Sequence, residues 1–341
     1  MNKKLHMEMI RIIAIILVVY NHSDMYYTYY THTENMITFS SSLLISSICK
    51  VNVPLFMMIT GALLIPKAET WREILKKRVS RMLIVLIVFS TLIYGLKCFV
   101  WHQDVFSVGK FIEQLLTGEI QESYWYLYEY ISILVMLPFL GAIARNIDGD
   151  SWKYFMGIGI ACKVGVAVIT FFTGYSSPFN FFILQNNVLY VLLGYYSEKV
   201  ITDERCKQES YGKIVMGFMI SILFTAGMVL ADKRMSGEYH EYVLSILTPV
   251  MALFIYIGLR KFFIEHACDK TAGIIRSLGG CAFGIYLLEH IGQKTFLWMY
   301  LWLADRTFGI LACSIYVLCI LMFGFIGTVI LKKTKIMKLF L

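Results

Sequence analysis

Apolar stretches of about 20 residues recur along the whole chain, with short polar segments between them. Leu, Ile, Phe, Met and Tyr fill the stretches, and only 5 prolines interrupt the sequence. A helix of about 20 apolar residues crosses the roughly 30 Å hydrocarbon core of a bilayer. The pattern predicts an all-α integral membrane protein of about ten transmembrane helices, at residues 8–28, 40–65, 81–101, 124–144, 153–173, 181–198, 213–231, 241–260, 277–295 and 308–331.

Composition agrees with a chain that folds in lipid. Hydrophobic residues make up 58% of the 341 residues and charged residues 16%, whereas a soluble domain carries about 25% charged residues. The longest polar segments, 66–80 and 102–123, are too short for a folded soluble domain. We therefore expect one transmembrane domain over residues 1–341, with no soluble extra domain.

The distribution of positive charge orients the predicted helices. With the N-terminus inside, most of the 31 Lys and Arg residues fall on inner segments, as the positive-inside rule requires. This predicts that both termini are cytoplasmic, in a multi-pass protein of the plasma or inner membrane. It also accounts for the +8 net charge without nucleic acid as a partner. Residues 69–81 have the pattern of a basic amphipathic helix on the inner surface.

The 8 cysteines are scattered and contain no C-x-x-C pair. Zinc and thiol redox sites use closely spaced cysteines, so we expect neither a metal nor a redox centre.

The first predicted helix carries Arg11 and His22, eleven residues apart. At about 100° per residue, they lie within about 20° of each other around the helix and about 16 Å apart along it. Glu8 can pair with Arg11 from three residues before it. Ionisable groups inside a bilayer cost roughly 2.5–3.5 kcal/mol and often mark functional sites. The alternatives are a positive-inside anchor for Arg11 and an interfacial histidine, bonded to a neighbouring helix, for His22.

An arginine and a histidine at this spacing on a first transmembrane helix resemble the membrane-bound acyltransferase family 3, bacterial O-acyltransferases of surface glycans. The resemblance continues in order along nearly the whole chain, through Val53–Gly61, Lys77–Arg81, Tyr124–Tyr128, Leu193–Tyr196 and Phe283–Leu288.

The chain departs from the family pattern at three places. Thr60 stands where Ser is usual, and Lys77 begins the basic motif. Glu289 occupies the place where the family often has a histidine, and His290 follows it. Both residues are therefore site candidates without an assigned catalytic role.

The resemblance implies acyl transfer with His22 as the general base, which suits an imidazole that titrates near pH 6.5. Guanidinium groups bind phosphate at two points and stay charged. Arg11, Lys77, Arg78 and Arg81 are therefore expected to bind the phosphates of an acyl-CoA donor, with acetyl-CoA favoured and no permanently bound cofactor. The head group would dock inside, with the thioester near His22.

The acceptor would be a glycan or lipid-linked glycan that approaches from the outer or lipid side. Asn21 is a candidate to orient His22. Trp125 and Tyr128 are either interface anchors or sugar-stacking residues, and Tyr286 is either a core or belt residue or part of the chemistry. The basic cluster at Lys77–Arg81 could instead bind anionic lipid.

Two other functions fit the sequence. One is a non-enzymatic transporter or flippase for a lipid or glycan, against which the lack of internal repeats counts modestly. The other is an accessory subunit of a glycan assembly complex. Membrane lipid is a partner in every case, and the sequence does not choose between a monomer and a homo-oligomer.

Overall fold

The computed structural model describes residues 5–23, 36–174, 187–237, 239–266 and 269–334, and these residues form helices without any strand. The helices are α1 (Leu5–His22), α2 (Met36–Cys49), α3 (Asn52–Leu64), α4 (Trp71–Phe99), α5 (Val108–Thr117), α6 (Trp125–Asn146), α7 (Gly149–Thr173), α8 (Val188–Tyr195), α9 (Asp203–Gln208), α10 (Tyr211–Ser236), α11 (Thr248–Glu265), α12 (Asp269–Gly279), α13 (Ala282–Ala304) and α14 (Gly309–Lys333).

Within these residues, 8 helical segments are long and apolar enough to cross a membrane, and up to 9 if the bent pair α12–α13 counts as one span. They correspond to nine of the ten predicted spans, which confirms an all-α integral membrane protein. One span, Ile37–Lys67, is interrupted between α2 and α3. The predicted end of the first helix, 24–28, lies outside the described residues.

The remaining predicted span, 181–198, is described only from residue 187 onward. There α8 is followed by a π-helical turn, Tyr196–Val200. The Trp152 ring of α7 lies 5.6 Å from the Tyr195 ring and 6.0 Å from the Tyr196 ring. Trp152 is near the first residue of α7, so α8 ends on the side of the membrane where α7 begins.

The described chain divides into two compact units. Among the described residues, the first contains those from 5 to 63 and from 147 to 332, and the second contains 64–146 with 333 and 334. The first unit therefore holds α1, α2 and most of the later helices. The second holds α4, α5 and α6.

Helix α1 is central to the first unit. It packs against α2, α11, α12 and α13. Its buried side chains include Ile10, Ala14 and Val18, which recur every four residues and therefore form one face. This face turns inward and packs against the neighbouring helices.

In the second unit, the prediction of a separate surface helix at 69–81 is wrong. Thr70 forms a capping box with Glu73 at the start of α4, and the helix then continues through a π-helical turn, Ile74–Val79, into the rest of α4. No glycine or proline occurs between Trp71 and Tyr94, so nothing stops the helix. The basic motif thus lies on the first turns of a span.

Two of the family-like segments meet in the first unit. A Cβ atom added to Gly61 of α3 would lie 1.7 Å from the backbone oxygen of Val191, and one added to Gly194 of α8 would lie 1.9 Å from that of Met58. Both helices therefore need glycine where their backbones touch, a close approach that is common between membrane helices.

Candidate active site

His22 is the last residue of α1, and its imidazole is paired with a carboxylate from α13. The His22 Nδ1 and Glu289 Oε1 atoms are 2.5 Å apart. Glu289 is 1% exposed, and the imidazole is 22% exposed. A buried carboxylate thus holds one ring nitrogen, while part of the ring stays accessible.

Further hydrogen bonds fix the end of α1 against its neighbours. Gln293 Nε2 donates to the backbone oxygen of His22 over 3.0 Å, and the Tyr316 hydroxyl donates to the backbone oxygen of Gln293 over 2.9 Å. The Tyr20 hydroxyl donates to Ser314 Oγ over 2.8 Å. These bonds tie α1 to α13 and α14, so His22 is held through both its backbone and its side chain.

Arg11 lies on the inward face of α1. Buried Val18, seven residues further on, points within about 20° of it, and buried Ile15 points within about 40°. His22 lies between these directions. The guanidinium is nevertheless 29% exposed, and Nη1 donates to Glu8 Oε1 over 2.5 Å. The pairing predicted for Glu8 and Arg11 is present, and a cation and an imidazole share the packed side of one helix.

The basic motif belongs to the second unit. Both Nε and Nη2 of Arg78 donate to the Glu69 carboxylate, with 2.6 Å between Nη2 and Oε1. This hydrogen bonding lowers the pKa of the Glu69 carboxyl below its ordinary value. Exposed Lys77 pairs with Glu73 Oε1 over 3.2 Å. The Nε of half-buried Arg81 is enclosed and has no hydrogen-bond partner among the described residues.

The aromatic candidates have different surroundings. Tyr286 is buried, and its ring stacks on the Phe283 ring with the two centroids 6.3 Å apart. The Tyr128 hydroxyl donates to the backbone oxygen of Leu115 over 2.5 Å and thereby holds α5. Trp125 is exposed at the beginning of α6. The contacts of Tyr128 are those of a structural anchor.

The two polar candidates next to the pair point elsewhere. His290 is half-buried and follows Glu289 on α13, so it projects about 100° away from it around the helix. The Asn21 Oδ1 atom accepts a hydrogen bond from Lys50 Nζ over 3.4 Å. Asn21 therefore links the end of α1 to the break between α2 and α3.

Sequence reasoning assigned no role to three of these partners: Glu289, Gln293 and Glu69. Gln293 could have been found from Glu289, because residues four apart share one face of a helix. A carboxylate nine positions before Arg78 gives no such signal.

A histidine that is oriented by a buried carboxylate, inside a bundle of membrane helices, can take and return a proton away from bulk water. A family model described as an acyltransferase domain, acyltransferase 3, matches residues 5–333, and the chain belongs to this family. Its apolar helices and this match together define a multi-pass membrane acyltransferase. The match runs from α1 to α14 and confirms the predicted resemblance. Comparisons with curated proteins and with solved structures find no match.

Proposed function

We propose that this protein moves an acyl group, with acetyl favoured, from acyl-CoA to a hydroxyl of a cell-surface glycan or its lipid-linked precursor. The reaction takes place in the plasma or inner membrane, with His22 as the general base. The pair of His22 with Glu289, 2.5 Å apart, carries this proposal, because a general base needs a fixed ring orientation.

In this mechanism Nδ1–H of His22 donates a hydrogen bond to the Glu289 carboxylate, and the lone pair of Nε2 accepts the proton of the acceptor hydroxyl. The acceptor oxygen forms an ester bond with the acyl carbonyl carbon, and the carbon–sulfur bond of the thioester breaks. The proton on Nε2 then passes to the CoA thiolate. Glu289 stabilises the imidazolium formed in between, as buried carboxylates do in other histidine-based enzymes.

Basic residues bind the phosphates of the donor, and Arg11 lies toward the opposite end of α1 from His22. Arg11 precedes His22 by about 16 Å along the helix, a separation comparable to the length of a pantetheine arm. A head group near Arg11 therefore allows a thioester near His22. Arg78, Arg81 and Lys77 are the proposed phosphate ligands. The two-point contact of Arg78 with Glu69 supports this, since a carboxylate and a phosphate accept from guanidinium in the same geometry.

The test uses the purified full-length protein in lipid nanodiscs with acetyl-CoA labelled on the acetyl group. Release of CoA thiol and transfer of label to short glycans are measured together. We expect both in the wild type, and neither in His22→Ala at wild-type expression and thermal stability. Translocation of a labelled lipid-linked glycan without any use of acyl-CoA would contradict the proposal and favour a flippase.

A further inference from the structure

The span Ile37–Lys67 contains a lysine where its helix is interrupted. α2 ends at Cys49 and α3 begins at Asn52, so Lys50 lies in the break, near the middle of a 31-residue span. Of the 8 candidate spans of the described chain, this one is the most buried within the protein. Lys50 is therefore a charged group that is largely enclosed by protein in the first unit.

Two oxygen acceptors hold the ammonium group. Lys50 Nζ donates to Asn21 Oδ1 over 3.4 Å and to the carboxylate of Glu241. Asn21 directly precedes His22 on α1, with the two Cα atoms about 3.8 Å apart. One contact of Lys50 thus reaches the neighbour of the proposed base.

The two ends of the Lys50 pair differ in their surroundings. The Lys50 side chain is 14% exposed, whereas that of Glu241 is 71% exposed. Ion pairs with a largely exposed partner contribute about 0–1 kcal/mol, so another anion can replace Glu241 at little cost. Glu241 therefore shows which kind of group Lys50 accepts: an oxygen anion that arrives from the accessible side.

The cost of placing a charged group within a membrane protein indicates that Lys50 has a function. A charge within the hydrocarbon region is costly unless it pairs or lines a water-filled cavity. Irregular backbone at membrane depth is likewise tolerated only inside protein or beside such a cavity. Interrupted membrane helices also form the substrate sites of many transporters. The break at Lys50 has the charge, the irregular backbone and the nearby accessible carboxylate.

We propose that Lys50 binds an acidic group of the acceptor, a carboxylate or a phosphate, in place of Glu241. This rests on the proposed function, which supplies the acceptor, and it names the acceptor class: a negatively charged glycan or lipid-linked glycan. With its acid group on Lys50, the acceptor can present a hydroxyl to His22, because Asn21 connects the two positions. Lys50 is then a specificity residue rather than a catalytic one.

The experiment compares three glycosides that differ only at the 6-position of the sugar: methyl glucoside, methyl glucuronoside and methyl glucoside 6-phosphate. Their binding to the full-length protein in nanodiscs is measured by calorimetry without any acyl donor. We expect both acidic probes to bind at least tenfold more tightly than the neutral one. Lys50→Met is expected to abolish this preference, Lys50→Arg to retain it, and Glu241→Gln to strengthen it.

Equal binding of all three probes to the wild type would overturn the proposal, as would an equal loss for acidic and neutral probes in Lys50→Met. If Lys50→Met does not fold, Glu241→Gln decides, because a merely structural pair predicts no gain in acidic-probe binding. A preference for only one acidic probe supports the proposal and identifies a carboxylate or a phosphate as the source.

These measurements also separate this proposal from the proposed function. An acid preference that depends on Lys50, in a protein that transfers no acyl group, would support the site and contradict the transferase. Acyl transfer without any preference for acidic acceptors would support the transferase and contradict the proposed Lys50 site.

Discussion

His22 and Glu289 are 267 positions apart in sequence, and their side chains approach to 2.5 Å between α1 and α13. The carboxylate is almost fully enclosed and the imidazole is partly accessible, so the pair has one enclosed end and one accessible end. In a buried environment such a charge-assisted contact is short and strongly oriented. The first prediction concerns the two ends separately.

Replacing His22 and replacing Glu289 should both remove catalysis, but for different reasons. His22→Ala removes the proton acceptor, and we expect acyl transfer to fall by about 10²–10⁴-fold. Glu289→Gln keeps the size of the side chain but lets an amide donate to Nδ1, so that Nε2 carries the proton and cannot act as a base. We expect a comparable fall in kcat, with donor and acceptor KM nearly unchanged.

Initial rates of CoA release and acceptor labelling check this prediction. The matched control is His266→Ala, because His266 is an exposed histidine bonded to the backbone oxygen of Phe262, outside the proposed site. Its activity should equal that of the wild type. Wild-type rates in Glu289→Gln would mean that the carboxylate only supports the fold.

The second prediction concerns the donor. Arg78→Ala removes a two-point phosphate ligand, and charge-assisted hydrogen bonds contribute about 1.5–3 kcal/mol, so acetyl-CoA should bind roughly tenfold to a hundredfold more weakly. Glu69→Gln removes the carboxylate that occupies the same guanidinium and should tighten binding. Equilibrium binding of labelled acetyl-CoA measures both.

Lys76→Ala is the control for this experiment. Lys76 is exposed on the same π-helical turn as Arg78 and carries the same charge, so general attraction to phosphate would be lost equally in both variants. If Lys76→Ala and Arg78→Ala weaken binding to the same extent, the motif acts as a diffuse positive surface rather than as a phosphate site.

The third prediction is a pH dependence of stability. The hydrogen bonds from Arg78 lower the pKa of Glu69 in the folded protein. A depressed carboxyl pKa contributes stability that is complete above the unfolded-state value of 4.5 and is lost as pH falls through the folded value. The wild type should therefore melt at a higher temperature than Glu69→Gln at pH 7, and the difference should shrink as pH falls below 4.5 and close once it is below the lowered pKa of the folded state. Thermal unfolding in nanodiscs across this range provides the measurement. A difference that persists unchanged at pH 3 would show that the pair does not titrate in this way.

The sequence predicted the helical membrane fold well, because apolar runs of about 20 residues report directly on the lipid solvent. It also placed Arg11 and His22 on one face, since helical periodicity operates within a single element. It did not pair His22 with Glu289 or Lys50 with Asn21, because contacts between helices depend on packing that no local period records. It placed 69–81 wrongly because a continuous helix and a surface helix share the same basic, amphipathic pattern.

The last prediction concerns the contact between α3 and α8, where glycine is required by space. Gly61→Ala and Gly194→Ala would each place a methyl group within about 2 Å of a backbone oxygen. Neither backbone can yield without separating the helices, so both variants should lose the folded state, as overpacked cores do at a cost of about 1–3 kcal/mol or more. Gly157→Ala is the matched control, because no atom lies within 4 Å of a Cβ added at Gly157 of α7. Size-exclusion profiles and melting temperatures of the three detergent-solubilised variants check this. A monodisperse, stable Gly61→Ala protein would show that α3 and α8 are not in backbone contact.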